Sequence, residues 1–275
     1  MPTVTNEPGG LAIDAQPGAV LHLNLGDEPP TLDPSLVMDP ISRHCTYLMF
    51  MGLTKPGVET GQPEPWLASK WEVSPDGLTW TFQLRGDAFW VRYDPATKKA
   101  EKKRPVVAHD VVRSVQRSIN AATASPQAYV NSGSRNVQAV HEYRQRTWDD
   151  FGVGALDEHT VQFSLQQPSV AFAATAGLTL NYPLPWEPLE AFGDEWSEPG
   201  NIWTCGPYML DTWEHRRRLV MRKNPYWFGA DHVQVEQIMW AMVNGAEAMA
   251  MYDRGALDVV APPQAELERI QPGRH

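Results

Sequence analysis

The chain has 275 residues, 42% of them hydrophobic and 20% charged, enough to bury a sizeable core in one or two domains. A formal net charge of -10 argues against nucleic acid as a partner, because phosphate neutralisation needs a positive face. No apolar run approaches the roughly 18 residues needed to cross a bilayer. The opening MPTVTNEPGGLAIDAQPGA lacks the basic and apolar regions of a secretory signal, so any export signal is expected to be absent or removed.

Residues 1 to 18 are rich in Pro, Gly and small polar residues and read as a disordered leader. AVLHLNLG (19–26) alternates apolar and polar residues as a strand does, and DEPPTLDP ends it with three prolines. In ISRHCTYLMFMGL, Ile41, Cys45, Leu48 and Met49 fall at i, i+4, i+7 and i+8, the spacing of a buried helix face. Ser42 near its start is read as the cap for free backbone N–H groups. SKWEVSPDGLTWTFQLR (69–85) is a two-strand unit. Trp71 and Val73 lead into the turn SPDG, and Trp80, Phe82 and Leu84 share one face beyond it. The run KKAEKKR (98–104) reads as a solvated loop.

AHDVVRSVQRSI (108–119) is helical, with Val111, Val112, Val115 and Ile119 on one stripe and Asp110 suited to the positive N-terminal end. A polar stretch follows at 120–136. LDEHTVQFSL repeats the strand grammar through Val161, Phe163 and Leu165. SVAFAATAGL (169–178) reads as a short buried helix, and PWEPLEAFGDEW carries a helix stopped by Gly193. HRRR (215–218) reads as an exposed turn. From 203 onward strands over WTCGPYML, RLVMRK, VEQIMWAMV and LDVVAP alternate with a helix over GAEAMAMYDRG, so the assembly is mixed α/β.

Catalytic and cofactor signals are absent. HExxH, CxxC, GxSxG, GxxxxGK[ST] and GxGxxG do not occur. His and Glu are neighbours in VHEY (140–143) and EHR (214–216), but adjacent residues do not converge on one metal. Asp149 and Asp150, or Asp157 and Glu158, would be the carboxylates of a hydrolase, yet adjacency in a turn does not give the separation such chemistry needs. Cys45 and Cys205 could form one disulfide or remain buried thiols, and the sequence does not choose. Eleven tryptophans fill cores or wall a cleft.

Nine stretches, in order, resemble family 5 of the bacterial extracellular solute-binding proteins, the oligopeptide- and dipeptide-binding subunits of ABC importers. They are EPPTLDP (28–34), FMGLTKP (50–56), PWLASKWEVSPDGLTWTFQLR (65–85), VVAHDVVRSVQR (106–117), LDEHTVQFSLQQP (156–168), YPLPWEPLEAFGDEW (182–196), TCGPYML (204–210), MRKNPYWFG (221–229) and YDRGALDVV (252–260). Two positions depart from the family pattern: Cys205 stands where it has Asn, and Val107 where it has a capping Thr.

The resemblance implies a periplasmic-binding-protein-like fold of type II, α/β with mixed sheets and flanking helices. It implies a discontinuous first lobe (19–60 and 168–260), an inserted lobe (61–167), and a crossing segment from 261–275 toward a second large lobe. Family members run to about twice this length, so the chain is expected to be an N-terminal half, truncated before that lobe. It implies Met38, Asp39, Pro40 and Ile41 as ligand-facing, with backbone pairing to a peptide in strand-like fashion. Pro40 lacks an N–H, which removes one such bond. Val260, Ala261 and Pro262 would be cleft wall and hinge, apolar here where relatives are often polar. The implied function is peptide capture outside the membrane, periplasmic or at the cell surface, without cofactor or catalysis. Delivery would be to ABC permease subunits, and the membrane would be reached only through them or a lipid anchor. Alternatives are another solute, such as a nickel chelate or sugar, or a truncated module without a transport role.

Overall fold

A computed structural model describes residues 18–136 and 151–262. In chain order the elements are β1 (Ala19–Asn24), α1 (Pro40–Met49), β2 (Thr54–Pro56), β3 (Pro63–Pro65), β4 (Ala68–Val73), β5 (Thr79–Leu84), β6 (Phe89–Asp94), β7 (Lys99–Pro105) and α2 (Ala108–Ile119). There follow β8 (Val153–Asp157), β9 (Thr160–Ser164), α3 (Phe172–Thr175), α4 (Trp186–Phe192), β10 (Trp203–Thr204), β11 (Tyr208–Glu214), β12 (Arg218–Lys223), β13 (Val235–Ala241) and α5 (Gly245–Asp253). The polar stretch after α2 forms two 3-10 turns, Ala121–Thr123 and Ala128–Gly133.

Two four-stranded sheets, ordered β1-β13-β12-β11 and β4-β5-β9-β8, are accompanied by β10-β6-β7 and the ribbon β2-β3. The first sheet is mixed. β1 runs parallel to β13, with Leu23 opposite Trp240, whereas β12 is antiparallel to both its neighbours. The second sheet is antiparallel and buries one face, as its alternation requires: Trp80 lies opposite Phe163 and Phe82 opposite Val161, all buried. Phe172 of α3 closes over these rings, 5.1 Å from Phe163 and 5.5 Å from Trp80. The stripe of α2 (Val111, Val115, Ile119) is fully buried in the same core.

Both ends of α2 are fixed by buried carboxylates. Asp110, 2% exposed, accepts the Arg104 guanidinium in a two-point fork at 2.8 and 2.9 Å, the Trp90 indole N–H at 2.9 Å and the Val107 amide at 3.0 Å. Near the other end Arg117 forks onto Asp33 at 2.7 and 3.0 Å, and Asp33 also accepts the Trp196 indole N–H and the Ser35 amide. Arg104 reaches on to Glu187 of α4.

Several elements differ from the sequence-based expectation. The basic run 98–104 lies largely in β7, an edge strand paired with β6; its exposed lysines guard an open sheet edge. Ser42 does not cap α1. Asp39 does, and Ser42 is the third helical residue, whose N–H the Asp39 carboxylate accepts. The stretch 257–262 forms no sheet strand, because only the Asp258 amide finds a ladder partner, the carbonyl of His22. Cys45 and Cys205 are both free and buried. Residues 1–17, Asp149, Asp150, VHEY and 263–275 lie outside the described residues.

The TCGPY turn needs its glycine for space. Cys205 and Gly206 donate to the Met49 carbonyl at 3.1 and 2.8 Å, satisfying the end of α1. A Cβ on Gly206 would fall 2.6 Å from the Met49 carbonyl carbon and 2.8 Å from the Leu48 oxygen, both backbone. Gly206→Ala is therefore expected to destabilise the fold by about 2 kcal/mol in denaturant unfolding. Asp110→Ala, which strands a guanidinium and an indole N–H, is expected to lose about 3 kcal/mol in the same measurement.

Candidate functional site

The loop Leu32–Asp39 between β1 and α1 belongs to no sheet, and it ends in an exposed ridge. The DP pair at 39 and 40 makes the transition into helix. The Asp39 side chain accepts the Ser42 N–H at 2.8 Å, and Pro40, whose missing N–H would have had no helical partner, takes the first helical position. Met38 is 53% exposed. Among the described residues the backbone N–H groups of Met38 and Asp39 have no partner.

A concavity lies on each side of this ridge. One, of about 560 Å³, is walled by Leu23 and Leu25, by Pro40, Ile41 and His44 of α1, by Trp240, and by Ala248, Val260 and Ala261. The parallel pairing of β1 with β13 builds it, and the Asn24 side chain extends that pairing by donating to the Val243 carbonyl and accepting its amide, at 3.0 and 3.1 Å. Asp258 docks the following segment against β1: it donates its amide to the His22 carbonyl at 2.9 Å and accepts the His22 amide at 2.7 Å on its carboxylate. That clasp brings Val260 and Ala261 to the wall. The other concavity, of about 440 Å³, is lined by Met38, Arg43, Tyr47, Gln127, Leu178 and Tyr182, among others.

Of the residues expected at the ligand, Pro40, Ile41, Val260 and Ala261 thus share one concavity and Met38 lines the other. The Asp39 carboxylate is engaged as the helix cap, and Pro262 lines neither concavity. Sequence reading missed His44, Trp240 and Gln127. His44 was within reach, since it follows Pro40 and Ile41 by one helical turn on the same face. Trp240 and Gln127 arrive through long-range packing that carries no local signal.

His44 meets Trp240 edge-on with ring centroids 6.0 Å apart, and partial desolvation of this still exposed residue lowers its imidazole pKa from 6.5. Tyr47 lies on Trp66 at 4.8 Å, and burial raises its phenol. Among the described residues no group of three or more His, Cys, Asp or Glu could hold a metal ion. The arrangement offers shape, aromatic surface and free backbone donors, the means of holding a solute.

The sequence model described as bacterial extracellular solute-binding proteins, family 5 Middle, matches residues 62–273. The chain belongs to that family. It is a family of solute-binding proteins rather than enzymes. The chain is 33% identical over 262 residues to the periplasmic oligopeptide-binding protein OppA of Salmonella typhimurium, covering 94% of this chain and 45% of OppA. It is 28% identical over 262 residues to the probable deoxycholate-binding periplasmic protein YgiS of Escherichia coli, covering 93% of this chain and 46% of YgiS. The crystal structure of Haemophilus influenzae OppA in complex with RPPGFSPFR superposes with a TM-score of 0.82 at 26% identity, covering 93% of this chain and 48% of that one. The fold is therefore the α/β binding-protein fold that the sequence resemblance implied. The chain spans about half the length of the curated relatives it matches.

The lowered pKa of His44 gives a signed pH dependence. The folded state holds the imidazole neutral below the pH at which the unfolded chain protonates it. Its stabilising contribution is complete above pH 6.5 and declines as pH falls below that value toward the folded pKa. Thermal midpoints measured at pH 7.5 and 5.5 should show a smaller acid-side drop for His44→Gln than for the unaltered protein.

Proposed function

We propose that the chain is the part of an ABC importer's substrate-binding component that presents the first edge of the ligand cleft, capturing peptides outside the cytoplasmic membrane for delivery to the permease. One observation carries the reading. The ridge Met38–Ile41, exposed at Met38 and Pro40 and half-buried at Asp39 and Ile41, stands between two concavities with the N–H groups of Met38 and Asp39 unpartnered among the described residues, as a ligand running along it would require. A peptide backbone can accept those donors whatever its side chains, which then fall into the flanking hollows. Family membership and the peptide seen with a relative support it.

The same reading assigns Met38, Asp39, Pro40 and Ile41 to ligand contact, Asp39 through its backbone, and Val260 and Ala261 to the cleft wall, with Pro262 beyond them at the hinge. It makes the sheet containing β1 and β13 the centre of lobe I (19–60 and 168–260). The sheet containing β5 and β9 then belongs to the inserted lobe (61–167). The working location is periplasmic or extracellular, and any membrane contact runs through the permease or a lipid anchor. A second reading, a largely apolar solute, is favoured by the Leu23, Leu25, Ile41, Trp240 and Val260 lining of the larger concavity, and a relative's name points to deoxycholate.

A thermal-shift screen of the chain against di- to pentapeptides and deoxycholate separates the two. Ligand at 100 times its dissociation constant should add about 2.7 kcal/mol to stability. A shift with peptides alone supports the first reading and a shift with deoxycholate alone the second. A cooperative transition that no compound moves would rule out ligand capture by this chain on its own.

A further inference from the structure

The rim between Leu32 and Asp39 lacks a ladder of its own, yet alternate residues along it are gripped from behind by one short segment. Arg117 forks onto the Asp33 carboxylate, Ser125 Oγ donates to the Ser35 carbonyl at 2.6 Å, and Gln127 Nε2 donates to the Val37 carbonyl. Residues 32–35 and Val37 are buried, Ser35 and Val37 to 1% exposure, while Leu36 is half-buried and Met38 and Pro40 are exposed. The rim therefore combines a turn, in which the Leu36 amide donates to the Asp33 carbonyl at 3.0 Å, with a short run through Val37 to Asp39, and side chains hold both where a sheet partner would.

The gripping segment is itself held in shape. Asn120 caps the first 3-10 turn by accepting the Ala122 amide at 3.0 Å, and Ala124 takes a left-handed φ of 51°, reversing the chain so that the next residues reach the rim. An alanine there costs about 1 kcal/mol or more, a strain retained by the surrounding contacts. Gln127 is 8% exposed and also lines the 440 Å³ concavity beside Met38.

We infer that Ser125 and Gln127 are positioning residues for ligand binding. They fix the carbonyls of Ser35 and Val37 on the buried side of the rim, so that the Met38 N–H, which points away from the Val37 carbonyl across their shared trans peptide, is presented to the cleft before a ligand arrives. The inference rests on the peptide-binding reading of the ridge and adds the device that organises it. A rim ordered in advance loses less conformational freedom on binding, and affinity rises by that difference.

The test uses the full chain with Ser125→Ala, Gln127→Met (similar in volume, without a donor) and the double variant. Hydrogen exchange is followed at the amides of Ser35 and Leu36, which bond to the Asp33 side chain and carbonyl. Each lost bond is expected to speed exchange there about tenfold while the amides of α2 keep their protection. Affinity for a peptide identified by the screen is expected to fall about tenfold per bond, with Ser125→Thr restoring both readouts. Unchanged exchange across residues 33–42 in the two single variants and the double variant would overturn the inference. Faster exchange with unchanged affinity would also overturn it, leaving the two residues as structural supports. The exchange experiment needs no ligand, so a screen that finds none rules out peptide capture by this chain on its own and leaves the gripping of the rim to be decided by exchange alone.

Discussion

The rest of the molecule hangs on one interaction used twice: a buried aspartate held by an arginine fork and a tryptophan indole N–H. Asp110 with Arg104 and Trp90 fixes the start of α2, and Asp33 with Arg117 and Trp196 fixes its last turn to the rim loop. Phe50 stands between the two, 6.3 Å from the ring of Trp90 and 6.3 Å from that of Trp196. Buried ion pairs of this kind are often close to neutral for net stability, since desolvation offsets attraction. Their value here is directional. A fork and an indole accept only one placement of the carboxylate, so the rim, α2 and the α4 region are held in register with one another.

From that frame the site follows. The rim reaches the surface at Met38, and the Asp39 cap turns it into α1. The face of α1 carrying Cys45 and Met49 is buried beneath. Leu23 and Trp240 sit side by side because β1 and β13 run parallel. The larger concavity is therefore a product of sheet register, and the smaller one of the way the turn after α2 leans on the rim.

How far this was legible depended on the range of the interaction. Strand alternation at Trp80, Phe82 and Leu84 and the valine stripe of α2 are local patterns that burial of one face imposes, and they read correctly. At the start of α1, Asp39 and Ser42 are both good cap residues, and only Asp39 fills the cap. What decides is Pro40, which is favoured just after a cap and leaves Asp39 to fill it. β7 has the sequence of a loop because an exposed edge strand rich in lysine shows no apolar face to betray its period of two. LDVVAP has strand composition, but a strand exists only with a partner, and Asp258 alone is paired. Of the ligand candidates, those from the two chain segments around 40 and 260 were brought to one wall, while Gln127 and Trp240 could not be found by any local rule.

The parallel pairing of Ala19–Asn24 with Val235–Ala241 has a consequence for the order in which the chain can organise itself. β1 cannot be paired until its partner strand, which ends at residue 241, has left the ribosome. The β4-β5-β9-β8 sheet and α2, with partners closer in sequence, have a lower loop-closure cost and can consolidate sooner. The opening strand therefore waits, edge groups unpaired, while the more than 200 residues between it and β13 are made. That delay prolongs the interval in which the nascent chain is open to chaperones, proteases or a translocation channel.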